Sequence, residues 1–314
     1  MRFLLGHGAG RSSFATLLAA TLLSPNAAHA FCRTTTKELP ASYNPVAGCF
    51  TEGLVLFWRN ACVGYSVNQT ASRTIAYQDA KRIIDESFAT WTNVTCRGGS
   101  APPGISVSDL GAVECDEVRY NKTSANQNLI VFRDEDWPYR GANSTLGLTT
   151  VSFNPETGEL RDVDMEINAT GGNLSVTDQV PANGFDLASI ITHEAGHFFG
   201  LAHATSPSST MYASAKPGAA ILRSLTQDDI DGICAIYPNA KIRSVSSALS
   251  SNETLAADSC NPNPERGLTS ACVSSVTSKD TCAASPKHAP PWGLSASVSL
   301  TVGCLLIARR RRPR

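Results

Sequence analysis

Histidine is scarce in this sequence, with six residues among 314. That excludes a histidine-rich metal-storage chain and makes the place of each one informative. Neither sign of charge dominates: 26 basic residues stand against 27 acidic ones, for a net charge of −1. A basic nucleic-acid binder and an acidic solvating chain are both excluded as the main theme. Charged residues make up only 17%, while serine, threonine and glycine abound, a balance that suits an exported protein. Ten cysteines include no Cys-x-x-Cys pair. A zinc site built from such pairs is therefore excluded, and thiols at this density point to disulfides in an oxidising compartment. No internal repeat is evident.

Both ends read as targeting segments. Residues 1–30 have the pattern of a secretory signal peptide: Arg2 and Arg11, an apolar core from Phe14 to Leu23, and the cleavage site Ala28-His29-Ala30. The mature chain is expected to begin at Phe31. In residues 292–314, Trp292 to Ala308 is uncharged and near the short limit for a spanning helix, and Arg309 to Arg312 follow. This predicts a hydrophobic helix that serves as a membrane anchor or a bacterial C-terminal sorting signal, its arginines cytoplasmic. Residues 241–291 hold no aromatic residue, and 20 of these 51 are Ser, Thr or Pro. Such a stretch buries too little apolar surface to offset its ordering entropy. A linker is expected there, with Cys260, Cys272 and Cys282 bridging locally. Residues 31–240 remain as one globular domain.

Within that domain, Leu54 to Trp58 and Gly64 to Val67 read as strands. Tyr77, Ala80, Ile84, Ser87, Phe88 and Trp91 recur at three- and four-residue spacing, which predicts an amphipathic helix capped by Ser72 or Thr74. Ile105 to Val107 and Asn128 to Phe132 read as further strands. Leu146 to Phe153 and Leu160 to Ile167 form a hairpin about the turn Asn154 to Gly158. Helices are expected at about 185–200 and 226–236. The fold class is α+β, or mixed α/β, a twisted sheet with helices packed on it.

The chemistry concentrates in His193-Glu194-Ala195-Gly196-His197-Phe198-Phe199-Gly200-Leu201-Ala202-His203. His193 and His197, four apart, share one face of a helix. Two such imidazoles can hold one zinc ion. Gly200 can end the helix in the left-handed conformation and let the chain turn, so that His203 reaches the same ion. Three neutral imidazoles leave a fourth position open, the mark of a catalytic site. Glu194, about 100° round the helix, can reach a water there as general base. Chance would place these residues at this spacing on the order of six times in a million such chains, so the spacing outweighs a reading as core histidines. His7, His29 and His288 lie in the expected signal and linker, so every histidine of the domain belongs to the motif.

This motif resembles the metzincin zinc endopeptidases and, among them, the matrixin family of interstitial-collagenase type. Ser209-Thr210-Met211-Tyr212 is similar to the family's Met-turn. Astacins and serralysins carry a tyrosine two residues after the methionine, where this chain has Ala213. Leu225 to Pro238 is similar to the closing helix. The resemblance spans roughly residues 50–238. It implies a twisted, mostly parallel sheet with one antiparallel edge strand, an active-site helix, a Met-turn and a C-terminal helix. It further implies one catalytic zinc on His193, His197 and His203, Glu194 as the catalytic base, and protein or peptide substrates with no nucleic acid. The expected enzyme is a monomeric, extracellular or surface-anchored endopeptidase. The alternatives are an inactive zinc-binding surface protein and a zinc hydrolase of other substrates.

Family calcium sites would draw on Asp162, Asp164 and Glu166, which share a strand face; a solvated face is the alternative. No Pro-Arg-Cys-Gly motif occurs, so activity without a latency segment is expected, with Cys32 as a switch thiol the rival idea. The strand Leu146 to Phe153 should border the substrate cleft, and Lys216-Pro217-Gly218 should wall its specificity pocket. Six cysteines of the domain allow fifteen connectivities. Spacing suggests Cys49–Cys62 and Cys96–Cys115. Cys32–Cys234 remains, and the resemblance supports it because the matrixin N-terminus packs on the closing helix.

Overall fold

The computed structural model describes residues 31–99, 101–139, 145–245, 253–272 and 298–299. In chain order the elements begin with β1 (Cys32–Arg33), β2 (Cys62–Asn68), α1 (Tyr77–Thr92), β3 (Ser106–Val113), β4 (Leu129–Arg133), β5 (Gly147–Phe153) and β6 (Leu160–Asn168). They continue with β7 (Leu174–Ser175), β8 (Phe185–Asp186), α2 (Leu187–Phe198), β9 (Leu201–Ala202), β10 (Ser214–Ala215) and α3 (Gln227–Ile236). The short strands β11 (Ile242–Ser244), β12 (Thr254–Ala256) and β13 (Val298–Ser299) come last.

Five strands form the main sheet in the order β3-β2-β4-β6-β5. All pairs are parallel except β5 with β6, so the antiparallel strand lies at the edge. Parallel neighbours need long crossovers, and α1 fills the first, between β2 and β3. Its stripe of Ala80, Ile83, Ile84, Ser87, Phe88 and Trp91 is buried, at the spacing of one helix face. The N-cap is Ala76, with no side-chain cap, rather than Ser72 or Thr74. Ser72 instead donates to Asp134 Oδ1 at 2.6 Å, which draws its hydroxyl away from the helix. The run Leu54 to Trp58 makes only single bridges, Thr35 with Val55 and Phe57 with Glu159. Its apolar side chains are buried between the amino-terminal segment and the β5–β6 turn, without joining a sheet.

Trp91 and Ser87 carry α2. The Trp91 Nε1 donates to the Thr192 carbonyl at 2.8 Å, and Thr192 Oγ1 donates to Ser87 Oγ at 3.1 Å. An aromatic layer continues the contact: Phe88 meets Phe198 at 5.0 Å between ring centroids, and Trp58 meets Phe198 at 5.4 Å.

On β6, Val163, Met165 and Ile167 are buried, as alternation predicts. The opposite face is buried too, not solvated: Asp162, Asp164 and Glu166 lie beneath the loops before β4 and β5. Asp164 Oδ1 accepts from Leu129 N at 2.8 Å, and Glu166 accepts from Arg133 Nε at 2.7 Å and from the Tyr139 hydroxyl at 2.5 Å. Burial, and then the adjacent Asp164 carboxylate, raises Asp162 well above the usual carboxylate range. Burial also raises Asp164.

All three expected disulfides are replaced. The bonds are Cys32–Cys49, Cys62–Cys260, Cys96–Cys234 and Cys115–Cys272. The bridge between Thr35 and Val55 folds the amino-terminal loop back on itself and returns Cys49 to Cys32. The loop after α1 meets α3, where Arg97 pairs with Asp231 at 2.7 Å, and so Cys234 is presented to Cys96. Cys260 and Cys272 do not bridge locally; they tie residues 253–272 to the domain.

Where described, residues 241–291 are thus no loose linker. Strands β11 and β12 pair, and Arg243 is fully buried. Its guanidinium donates to the carbonyls of Trp58, Asn60 and Gly104 at 2.8, 3.0 and 3.0 Å, and lies 4.8 Å from the Tyr237 ring centroid. Covalent ties and one buried arginine do here what apolar side chains would otherwise do. No helix among the described residues is long and apolar enough to cross a membrane. The expected signal peptide lies outside the described residues. So does the expected C-terminal helix, except that Val298–Ser299 pair with Ser214–Ala215.

Two measurements check this description. Mapping of the folded, non-reduced protein should recover the four disulfides named above. A peptide joining Cys49 to Cys62 or Cys32 to Cys234 would overturn the course of the amino-terminal loop. The raised Asp162 means that the folded state holds a proton the unfolded chain releases. This favourable contribution is full at low pH and is lost as pH rises through the raised folded value. Asp162→Asn should therefore raise the melting temperature at pH 8 and change it little at pH 4; equal effects at both pH values would contradict the assignment.

Candidate metal centre

Helix α2 begins at Asp186, whose carboxylate accepts from Ser189 N at 2.8 Å and from Ser189 Oγ at 2.6 Å. Arg223 clamps the same carboxylate through Nε at 2.7 Å and Nη2 at 2.6 Å. An aspartate N-cap satisfies otherwise orphaned amides, and the bidentate arginine locks its orientation. The helix is buried nearly all round, so its rotation is set by packing and not by a solvent face.

His193 and His197 lie one turn apart on this helix. Gly200 then takes φ +92°, the left-handed conformation that glycine adopts cheaply, and a Cβ there would meet the Leu56 carbonyl oxygen at 2.6 Å. The chain reverses and brings His203 back. The ligand nitrogens of His193, His197 and His203 lie within 4.8 Å of one another, and all three residues are buried. His193 Nδ1 lies 2.7 Å from the Thr210 carbonyl and His197 Nδ1 lies 2.8 Å from the Leu201 carbonyl. With those Nδ1 protons donated to carbonyls, both Nε2 lone pairs face inward, 3.1 Å apart. His203 Nε2 is buried with no hydrogen-bond partner among the described residues. Burial lowers His193 to about 4 and holds His197 and His203 well below their usual value, so all three are neutral near pH 7. Three neutral, converging imidazole nitrogens fit a zinc-type ion with one position open.

Glu194 is fully buried beside the first of these histidines. Thr149 Oγ1, from β5, donates to its Oε2 at 2.6 Å, while its Oε1 is buried with no hydrogen-bond partner among the described residues. Burial pushes the carboxyl up to about 8, against the hydrogen bond from Thr149.

Beneath the triad lies the turn Ser209 to Tyr212. A Cβ at Gly196 would overlap the Met211 sulfur, so only glycine lets the helix sit this close. Asp229, the third residue of α3, holds the turn. It accepts from the Ser209 hydroxyl, from Thr210 N at 2.9 Å and from Met211 N at 3.2 Å. It also accepts from Thr226 N at 2.8 Å and Thr226 Oγ1 at 2.7 Å, completing a capping box.

The structure therefore brings His193, Glu194, His197 and His203 together as the spacing predicts. Asp162, Asp164 and Glu166 do not join them. Cys32 is bonded to Cys49 and so is no switch thiol. Lys216 to Gly218 lies against the segment before α2, with Gly218 N donating to the Gly184 carbonyl at 2.9 Å. The roles of Thr149, Asp186 with Arg223, and Asp229 at the turn were not read from the sequence. Only Asp229 left a local signal, the Thr226-x-x-Asp229 capping pattern.

Asp229→Asn should lower stability by about 2–3 kcal/mol, because a buried charged acceptor of five hydrogen bonds is lost. It should also weaken zinc binding about 10–100-fold through the displaced Thr210 carbonyl. Denaturant unfolding and a competitive zinc titration measure the two effects; unchanged affinity would detach Asp229 from the centre.

The family description Matrixin (Peptidase_M10) matches residues 57–238. Among similar curated proteins, Metalloendoproteinase 1-MMP of Arabidopsis thaliana is 26% identical over 188 residues, covering 59% of this chain and 46% of its own length. Matrix metalloproteinase-C of Caenorhabditis elegans is 27% identical over 194 residues, 60% of this chain and 30% of that protein. Neutrophil collagenase of Homo sapiens is 33% identical over 122 residues, 38% of this chain and 24% of that protein. The chain thus spans less than half the length of each of these relatives. The matched stretch contains the helix of His193 and His197, the turn at Met211 and the closing helix, and by it this chain belongs to the matrixin family.

Proposed function

We propose that this chain is an extracellular or surface-anchored endopeptidase that hydrolyses protein or peptide substrates, with one zinc ion held by His193, His197 and His203. The carrying observation is the convergence of three neutral imidazoles, two with Nδ1 fixed by carbonyls, beside Oε1 of Glu194, which has no partner among the described residues. When bound, zinc supplies a Lewis acid for the scissile carbonyl and brings the pKa of a water towards 7. Glu194 takes the proton from the attacking water and delivers it to the leaving amine.

The substrate lies along β5, the outer strand of the sheet, and adds to it by main-chain hydrogen bonds. Four disulfides suit an oxidising compartment. Export through residues 1–30 and bacterial surface sorting or anchoring through residues 292–314 complete the reading, with a catalytic domain from residue 31 onward.

Zinc-loaded protein should cleave casein, lose that activity to a chelator and regain it with added zinc. Glu194→Gln should keep one zinc per chain and lose about 10²–10⁴-fold in kcat. Bound zinc with no peptide cleavage by the wild-type protein would favour an inactive zinc-binding protein or a hydrolase of other substrates.

A further inference from the structure

The proposed chemistry uses Glu194 but leaves unexplained how its carboxylate is aimed. Thr149 lies in the middle of β5, fully buried, on the face that meets α2. Its hydroxyl is 2.6 Å from Glu194 Oε2 and 3.4 Å from the Glu194 carbonyl oxygen. Gly147, two residues earlier, shares that strand face. A Cβ at Gly147 would sit 2.5 Å from Glu194 Oε1. One strand face therefore grips one carboxylate oxygen and makes room for the other. Threonine is β-branched, with few χ1 choices, so the strand itself directs the hydroxyl. The terminal torsion of a glutamate is broad and would otherwise let the carboxylate turn.

We propose that Thr149 is a positioning residue, whose hydroxyl anchors Oε2 of Glu194 so that Oε1 faces the proton it carries. This rests on the reading of Glu194 as the proton carrier. Thr149→Val keeps the shape and removes the donor; Thr149→Ser keeps the donor. In the zinc-loaded full chain, Thr149→Val should lower kcat on a fluorogenic casein-derived peptide about 10–100-fold, with KM changed less than about twofold. Thr149→Ser should restore most of kcat, and zinc content should stay at one per chain in both.

A metal-free measurement reads the same contact without turnover. Thr149→Val and Glu194→Ala, combined in a double-mutant cycle on denaturant unfolding, should be non-additive. Equal loss of kcat in the valine and serine variants would reveal a packing role and overturn the proposal. So would unchanged kcat in Thr149→Val, or an additive cycle. If wild-type zinc-loaded protein cuts no peptide, the reading of Glu194 falls and the catalytic role of Thr149 falls with it. An additive cycle in an active enzyme defeats the proposal alone.

Discussion

Helix α2 is buried on nearly every side, yet it carries two histidines, a glutamate and a threonine in its central turns. A buried polar group left without a partner costs about 1–3 kcal/mol, so each of these side chains needs an answer from a neighbouring element. The answers come from every part of the domain. Thr192 bonds Ser87 of α1, Glu194 takes the hydroxyl of β5, His197 meets the carbonyl of Leu201 in β9, and His193 meets the carbonyl at Thr210. The helix thereby dictates where α1, the edge strand and the turn at Met211 can lie. Burial has a chemical result as well: it strips charge from the imidazoles, so that they would meet a metal as neutral ligands. The packing that makes the domain rigid also sets the protonation state of its site.

That arrangement depends on Asp229, which is remote from the histidines in sequence. One buried carboxylate caps α3 and collects the amides of the turn beneath the triad. The carbonyl of Thr210 then points back at His193 because its own amide is fixed from the other side. Gly196 and Gly200 provide the closeness this geometry needs, one at the Met211 sulfur and one at the Leu56 carbonyl.

The periphery is held differently. Two of the four disulfides among the described residues bring in Cys260 and Cys272, which lie beyond the stretch that matches the matrixin family. Cys62–Cys260 closes a separation of 198 residues. On the chain-entropy model a loop of that size constrains the unfolded chain by about 5 kcal/mol. Together with buried Arg243, these bonds keep a segment poor in apolar side chains against β2, β3 and the loop before β4. Cross-linking replaces burial where composition offers little to bury.

Short-range pattern made much of this protein legible before any coordinates. The three- and four-residue spacing of α1, the alternation along β6 and the turn from Asn154 to Gly158 are local signals, and the elements formed where they pointed. The histidine spacing was legible for the same reason, since a helix and one glycine turn suffice to bring His193, His197 and His203 together. Contacts between residues far apart in sequence were not. Spacing paired cysteines with near neighbours, whereas Cys62, Cys96 and Cys115 found partners 198, 138 and 157 residues away. Alternation placed Asp162, Asp164 and Glu166 on one face but was silent on what covers it. Nothing local marked Thr149 as the partner of Glu194. Identity and spacing along the chain determined which residues could hold a metal and carry a proton. Tertiary packing alone decided which were buried, which carbonyl or hydroxyl met each of them, and so which charge each would bear.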